Sequence, residues 1–351
     1  MTRAIAPKGV GDHFSFLIGI DEAGYGPNLG PLAVALSVWK VGGAKGESGT
    51  RNAEGNAGTP VDLYELLADS VTRESSVGRI AIADSKRLFQ PGGGLARLER
   101  AIHAALQVSG QASGSWSGLL ENLVADPEGR RHELPWHQTF DCPLPVDVDA
   151  DEINRLGTQL AETCQAARVR LLGLRARLVF PRQFNEMTVR YDSKGAALSH
   201  TTLGLLRETL AEMVQKQDGL RFPATTQIVC DKHGGRNRYE FLLATHFPEE
   251  AIEMLVEGRA ESCYQWGSPE SPVEICFRIR GESFLPTALA SMTAKYLREL
   301  AMGCFNRFWQ AQVVGIRPTA GYPLDAKRFR AEIITVQQQL GISDNDLWRS
   351  R

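Results

Sequence analysis

Apolar and polar positions alternate in blocks that predict a mixed α/β chain. Phe14 to Ile20 is an apolar run of strand length, and it ends at two adjacent carboxylates, Asp21 and Glu22. Gly24, Gly26, Pro27, Gly30 and Pro31 follow, and this composition continues neither strand nor helix. Leu32 to Trp39 is a second apolar run, expected to pair antiparallel with the first. Thr225 to Asp231 repeats the opening logic: a β-branched run, a carboxylate, then Gly234 and Gly235. Further strands are expected over 168–180, 252–257 and 273–280. Helices are expected at 61–70, 95–106, 203–214, 236–245, 284–309 and 326–340. Residues 108–151 read as irregular.

A strand that ends in carboxylates and then breaks suits a metal ion or an acid/base pair. Buried carboxylates are costly unless cations compensate them. The bland alternative is a pair of ordinary turn residues, and a lone Asp after a strand, such as Asp231, is common in turns. The glycine spacing is G-x-G-x-x-x-G with Pro27 where a helix should open, so it is not a dinucleotide fingerprint. Asp84-Ser85 can cap a turn, leaving Lys86 as a solvated charge or a phosphate contact. The 168–180 run, RVRLLGLRARLVF, has one basic face, which is a solvated strand face or a ridge beside a nucleic-acid groove. On the last long helix Lys295 and Glu299 stand at i, i+4: a surface ion pair, or a phosphate contact and a fourth acid. His233 is expected in an exposed loop.

Composition narrows the classes. The chain has 351 residues, 43% hydrophobic and 23% charged, with a formal net charge of -2. A globular protein follows, without a global basic field to draw in nucleic acid, so polyanion binding needs a local patch. There is no 18-residue apolar run and no apolar leader core, which sets the expectation of a cytoplasmic protein with no membrane partner. The six cysteines contain no C-x-x-C and are expected to be reduced thiols.

The motifs then resemble the type 2 ribonuclease H family (ribonuclease HII with its eukaryotic and type III relatives). Gly19-Ile20-Asp21-Glu22-Ala23-Gly24-Tyr25-Gly26-Pro27-x-x-Gly30-Pro31 is similar to that family's G-I-D-E-A-G-R-G-P-x-x-G-P. Asp84-Ser85-Lys86-Arg87-Leu88 resembles its D-S-K-K-L, and Ile228-Val229-Cys230-Asp231 its strand bearing a third carboxylate. Ala290-Ser291-Met292-Thr293-Ala294-Lys295 through Arg298-Glu299 resembles its A-S-I-x-A-K-x-x-R-D helix, and Gly321-Tyr322-Pro323 a further shared turn. The order is colinear from about residue 16 to residue 323. The chain is closer to ribonuclease HII than to the type III relatives in its short segment before the first motif.

The resemblance implies an RNase H-like α/β fold: a central mixed sheet flanked by helices, as a single catalytic domain over 13–351 after a disordered lead-in at 1–12. Insertions are expected at 41–75, flexible, and at 93–180, a small subdomain. It implies two divalent cations, Mg²⁺ or Mn²⁺, held by Asp21, Glu22, Asp231 and Glu299. It also implies hydrolysis of the RNA strand of RNA/DNA hybrids, or cleavage at ribonucleotides embedded in duplex DNA, with no obligate protein partner. Gly24, Tyr25 and Gly26 would read the ribose, and Lys86 and Lys295 would contact phosphate. Two departures stand out, Tyr25 in place of the family's Arg and Glu299 in place of its Asp. They keep two alternatives open: a degenerate hybrid-binding protein, and another two-metal nuclease of the same fold acting on DNA.

Overall fold

Successive residues of β1 (Phe14–Ala23) and β2 (Leu32–Gly42) point to opposite faces of one sheet, and each face meets its own hydrophobic core. Leu17, Ala33, Ala35, Trp39 and Val41 enter one core; Ile18, Ile20, Leu32, Val34, Leu36 and Val38 enter the other. A strand buried on both faces needs an unbroken apolar run, and that is what both segments carry. The computed structural model describes residues 14–43, 61–89, 93–125, 130–138, 140–215 and 224–350. The expected lead-in at 1–12 and most of the Gly/Asn-rich stretch at 41–60 lie outside them.

Two strands of two residues each, β3 (Val71–Thr72) and β4 (Ile80–Ala81), pair with each other. The main sheet adds β5 (Val169–Val179), β6 (Ala224–Asp231), β7 (Glu253–Glu257), β8 (Glu261–Ser268) and β9 (Ser271–Arg278). Its order is β5-β2-β1-β6-β9-β8-β7. β1 pairs antiparallel with β2, as expected, and parallel with β6; β6 is also parallel to β9. The central mixed sheet flanked by helices is thus the architecture expected. No helix among the described residues is long and apolar enough to cross a membrane.

One face carries the helix Leu285–Gln312, which starts directly on the sheet. A Cβ on Gly19 would lie 1.9 Å from the Thr287 nitrogen, so only glycine lets the helix approach β1 this closely. Ser37 Oγ donates to the Pro286 carbonyl at 2.8 Å, and Thr287 Oγ1 to the Val229 carbonyl at 2.9 Å. The opposite face is covered by the helices Pro181–Arg190, Lys194–Gln215 and Glu240–His246.

Residues 93–180 supply more regular structure than their polarity suggests. They form the helices Ala96–Val108, Trp116–Leu123 and Ala150–Ala166, whose buried Leu98, Trp116, Leu120, Leu156 and Leu160 share the core of the long helix. They also supply β5, an edge strand of the main sheet. Two of the arginines of β5 pair with the neighbouring helix: Arg177 with Glu208 at 2.6 Å and Arg175 with Glu212.

Local expectations also change. The 236–245 helix begins only at Glu240. Strand β8 had no counterpart in the sequence reading, and its register against β9 sets Cys263 opposite Cys276, where the two form a disulfide. The expectation of six reduced thiols is corrected there; Cys142, Cys164, Cys230 and Cys304 are free. His233 is buried rather than exposed, with Nδ1 2.9 Å from Ser199 Oγ and Nε2 3.5 Å from Cys230 Sγ.

Candidate active site

The parallel register of β1 and β6 places Ile20 opposite Cys230, so Asp21 and Asp231 leave neighbouring strands at the same level. Strand neighbours lie about 4.8 Å apart, which sets these carboxylates side by side. Alternation turns Asp21 toward the face of the long helix, after Leu17 and Gly19, and Glu22 toward the other face, after Ile18 and Ile20. The backbone N–H of Glu22 donates to Asp21 Oδ1 at 2.7 Å.

A fourth carboxylate joins them from a place the sequence reading passed over. β9, parallel to β6, runs into a tight turn at Gly281-Glu282-Ser283. The Gly281 N–H donates to Asp231 Oδ1 at 3.1 Å, and Glu282 follows beside it. A glycine and an acid after a strand was the available signal, the same one that drew attention to Asp21 and Asp231.

Glu299 is elsewhere. Its carboxylate bonds Lys295 Nζ at 2.5 Å, and that ammonium also sits 4.2 Å from the centre of the Phe89 ring. Helix geometry explains why Glu299 lies apart. Ser291 is the residue of this helix whose hydroxyl meets Asp21, and it also donates to Ser85 Oγ at 3.1 Å. Glu299 lies ~12 Å further along the axis and ~80° around it. The ion-pair reading of Lys295 and Glu299 is therefore the one the coordinates give, and Lys295 is engaged by Glu299 and Phe89.

The electrostatics follow from crowding acids in a half-buried place. Burial pushes the Asp21 carboxyl up to about 7, and Asp231 adds to it, while the Ser291 hydroxyl, the Glu22 N–H and Lys86 pull it back. Burial, then Asp21 and Asp231, hold Glu22 well above the usual carboxylate range. Asp231 is raised by burial against the opposing Gly281 N–H and Lys86, and Glu282 by burial together with Asp231 and Asp84. Lys86 is the cation of the group. Burial works against its charge, yet Asp84, Asp21, Asp231 and Glu22 together raise its pKa. Asp84 also caps the short helix Ser85–Leu88, accepting from the Lys86 N–H at 2.9 Å.

This donor set fits hard divalent cations. It offers oxygen ligands only, and positive charge among these acids would relieve the mutual repulsion that helps raise Asp21, Glu22 and Glu282. Within the described residues, the one set of three potential ligands with atoms inside 4.8 Å of each other is Cys263, Glu274 and Cys276, and two of these are the disulfide.

The loop after β1 is fixed from three sides. Gly24 has φ +85°, and a Cβ there would meet Arg298 Cδ and the Pro31 oxygen at 2.7 Å. The buried Arg298 donates to the carbonyls of Pro31 at 2.8 Å, Leu29 at 3.4 Å and Ala320 at 2.9 Å. The N–H groups of Asn28 and Leu29 donate to the Gly321 carbonyl at 2.8 and 3.3 Å, which locks in the Gly321-Tyr322-Pro323 turn. From the third side the chain end crosses beneath: Arg349 N donates to the Asn28 carbonyl at 2.8 Å, and its guanidinium to the Pro27 carbonyl. Gly26, in contrast, is exposed with nothing within 4 Å of its Cβ position, so a ligand can approach its backbone. Tyr25 is half-buried, with the Lys194 Nζ 5.5 Å from its ring centre.

No family profile matches the chain, and no curated protein matches it at a significant level. Among solved structures it is similar to the ribonuclease H2 from Pyrococcus horikoshii OT3, at 15% identity over 95% of this chain and 92% of that one, with a TM-score of 0.43. It is similar to the RNase HII of the PCNA:RNase HII complex from Archaeoglobus fulgidus at 15% identity, 96% and 94% coverage, and a TM-score of 0.34. It is also similar to Bst-RNase HIII, solved in complex with Mn²⁺, at 13% identity, 99% and 71% coverage, and a TM-score of 0.38. At these identities and scores the likenesses locate neither a substrate nor a metal in this chain.

Proposed function

We propose that the chain is a metal-dependent nuclease of the type 2 ribonuclease H kind, cutting the RNA strand of RNA/DNA hybrids or DNA duplexes at embedded ribonucleotides. The observation that carries the reading is the convergence of Asp21, Glu22, Asp231 and Glu282 at the ends of three neighbouring parallel strands, every one of these acids raised in pKa and Lys86 facing them. Four acids with one lysine leave an excess of negative charge that divalent cations would satisfy.

In this reading Asp21, Glu22, Asp231 and Glu282 hold two Mg²⁺ or Mn²⁺ ions, and Glu299 serves the helix through its pair with Lys295. Bound there, such ions supply an ionised water and charge neutralisation at the leaving oxygen of an in-line phosphodiester displacement. The protein's own groups do the rest. Lys86 holds a phosphate oxygen at the rim. Gly26 lets the sugar approach the backbone, and Tyr25 packs against it in place of a guanidinium. Arg298 and Arg349 keep that loop still, so that binding does not have to order it.

The test compares a duplex with one embedded ribonucleotide, a continuous RNA/DNA hybrid and an all-DNA duplex. Each is incubated with Mg²⁺, Mn²⁺ or chelator, with Asp21→Asn as the blank. The reading expects metal-dependent cutting only where RNA is present and none in the blank. Hybrid binding without cutting would make the chain a degenerate binder, and equal cutting of all-DNA would make it a nuclease of another substrate.

A further inference from the structure

A cavity of about 560 Å³ opens between the start of the helix Lys194–Gln215 and residues 236–242. Tyr25 connects it to the carboxylates. The Tyr25 hydroxyl lies 3.7 Å from where a Gly195 Cβ would stand, next to Ala196 in the cavity wall. The charges of both Glu22 and Arg236 act on that hydroxyl, and Arg236 lines the cavity.

The lining is aromatic, with two arginines, Arg236 and Arg238, and two carboxylates, Glu240 and Glu257. Tyr191 and His200 stack at 3.8 Å with 17° between their planes, and Phe241 is 81% exposed. His200 is 2.9 Å from His246, and burial lowers the pKa of both rings. Among the described residues the Nε of Arg236 is buried with no hydrogen-bond partner. Arg238 stands at the rim, 90% exposed and 3.7 Å from Glu257.

We propose that this cavity is a subsite for one unpaired nucleotide flanking the duplex held at the carboxylates, its base against the aromatic wall and its phosphate on Arg236. This rests on the nuclease reading above. An aromatic wall beside a guanidinium is the combination that holds single-stranded nucleic acid without sequence preference. The volume is that of a small-molecule pocket, enough for one nucleotide and too small for a base pair.

The test uses the full chain and a hybrid carrying a single 2-aminopurine overhang on either end of its RNA strand, alongside the blunt hybrid. Affinity and fluorescence are read in chelator, and cleavage in Mn²⁺. The overhang should tighten binding by roughly five- to a hundredfold and quench the 2-aminopurine. Arg236→Gln and Phe241→Ala should each remove both effects while leaving binding and cutting of the blunt hybrid as in the parent. Cutting without overhang preference overturns the subsite and leaves the nuclease reading standing. Overhang-dependent quenching without any cutting supports the subsite and overturns the nuclease. Failure to bind any of the duplexes overturns both.

Discussion

The Gly281 N–H donates to Asp231 Oδ1, and a Cβ on Gly281 would lie 3.2 Å from the Asp231 nitrogen and 3.3 Å from its Cα. That contact sets the position of Glu282 relative to the strand-end acids. Gly281→Ala forces a shift of a few tenths of an ångström there, and Gly281→Val a larger one. We expect a roughly tenfold loss of cleavage rate for alanine and more for valine. Thermal unfolding should change little beside the rate. Equal rates in parent and alanine variant would separate Glu282 from the site.

Gly19→Ala acts on the fold instead. Its Cβ would fall 1.9 Å from the Thr287 nitrogen, on backbone that cannot rotate away. The long helix must lift from β1, at a cost of about 3 kcal/mol. Urea unfolding checks this, and an unchanged midpoint would contradict the close approach.

Arg298 is a buried cation whose donors go to the three carbonyls of Leu29, Pro31 and Ala320. Burial holds its pKa below the ordinary guanidinium value. Lysine cannot span three carbonyls from one point charge. Arg298→Lys should lower stability by about 2 kcal/mol, since it leaves buried acceptors without donors. It should also raise KM more than it lowers kcat, because the loop proposed to read the sugar loosens while the acids stay in place. A loss confined to kcat would place Arg298 among the reacting groups.

Asp21 should add to the metal-free protein a stability that is lost as pH rises, opposite in sign to the contribution of His103, His200, His233 and His246, whose pKa values burial lowers. Asp21 has a folded pKa of about 7 against an ordinary 3.8, so between those values the folded state holds more protons than the unfolded one. Stability falls with pH wherever that is so. In chelator, the melting temperature of the parent relative to Asp21→Asn should decline from pH 5 to pH 7.5; with Mn²⁺ that decline should vanish or reverse, because the cation takes the place of the proton. A difference from Asp21→Asn that stays flat or grows with pH in chelator would count against the crowded, half-buried carboxylates.

Much of this site was legible before any coordinates. The runs ending in Asp21 and Asp231 were readable because a strand buried on both faces is continuously apolar, and a polar pair at its end is conspicuous. Lys86 was readable from its Asp-Ser cap. Glu282 was not, because β9 was taken to run to Arg280, and a single acid in the next turn looks like any other turn residue. Glu299 looked attractive as an acid on a core helix, but one residue's spacing to another does not say which face of the helix meets the sheet. Ser291, not Glu299, is on that face. β8 was missed because Ser262, Gln265 and Gly267 interrupt its apolar side chains, and with it went the pairing of Cys263 with Cys276. The helix Ala150–Ala166 buries only a narrow stripe, Ile153, Leu156, Leu160 and Cys164, within a polar sequence.

The central claim is that Asp21, Glu22, Asp231 and Glu282 form one metal-dependent site. Its most direct test is Mn²⁺-dependent cleavage of the embedded-ribonucleotide duplex by Glu282→Gln and Glu299→Gln, measured side by side. The account predicts a loss of at least about a hundredfold for Glu282→Gln and less than about threefold for Glu299→Gln, whose lost ion pair is worth only ~0.5 kcal/mol. The reverse ranking would return the fourth ligand to the helix and contradict the site described.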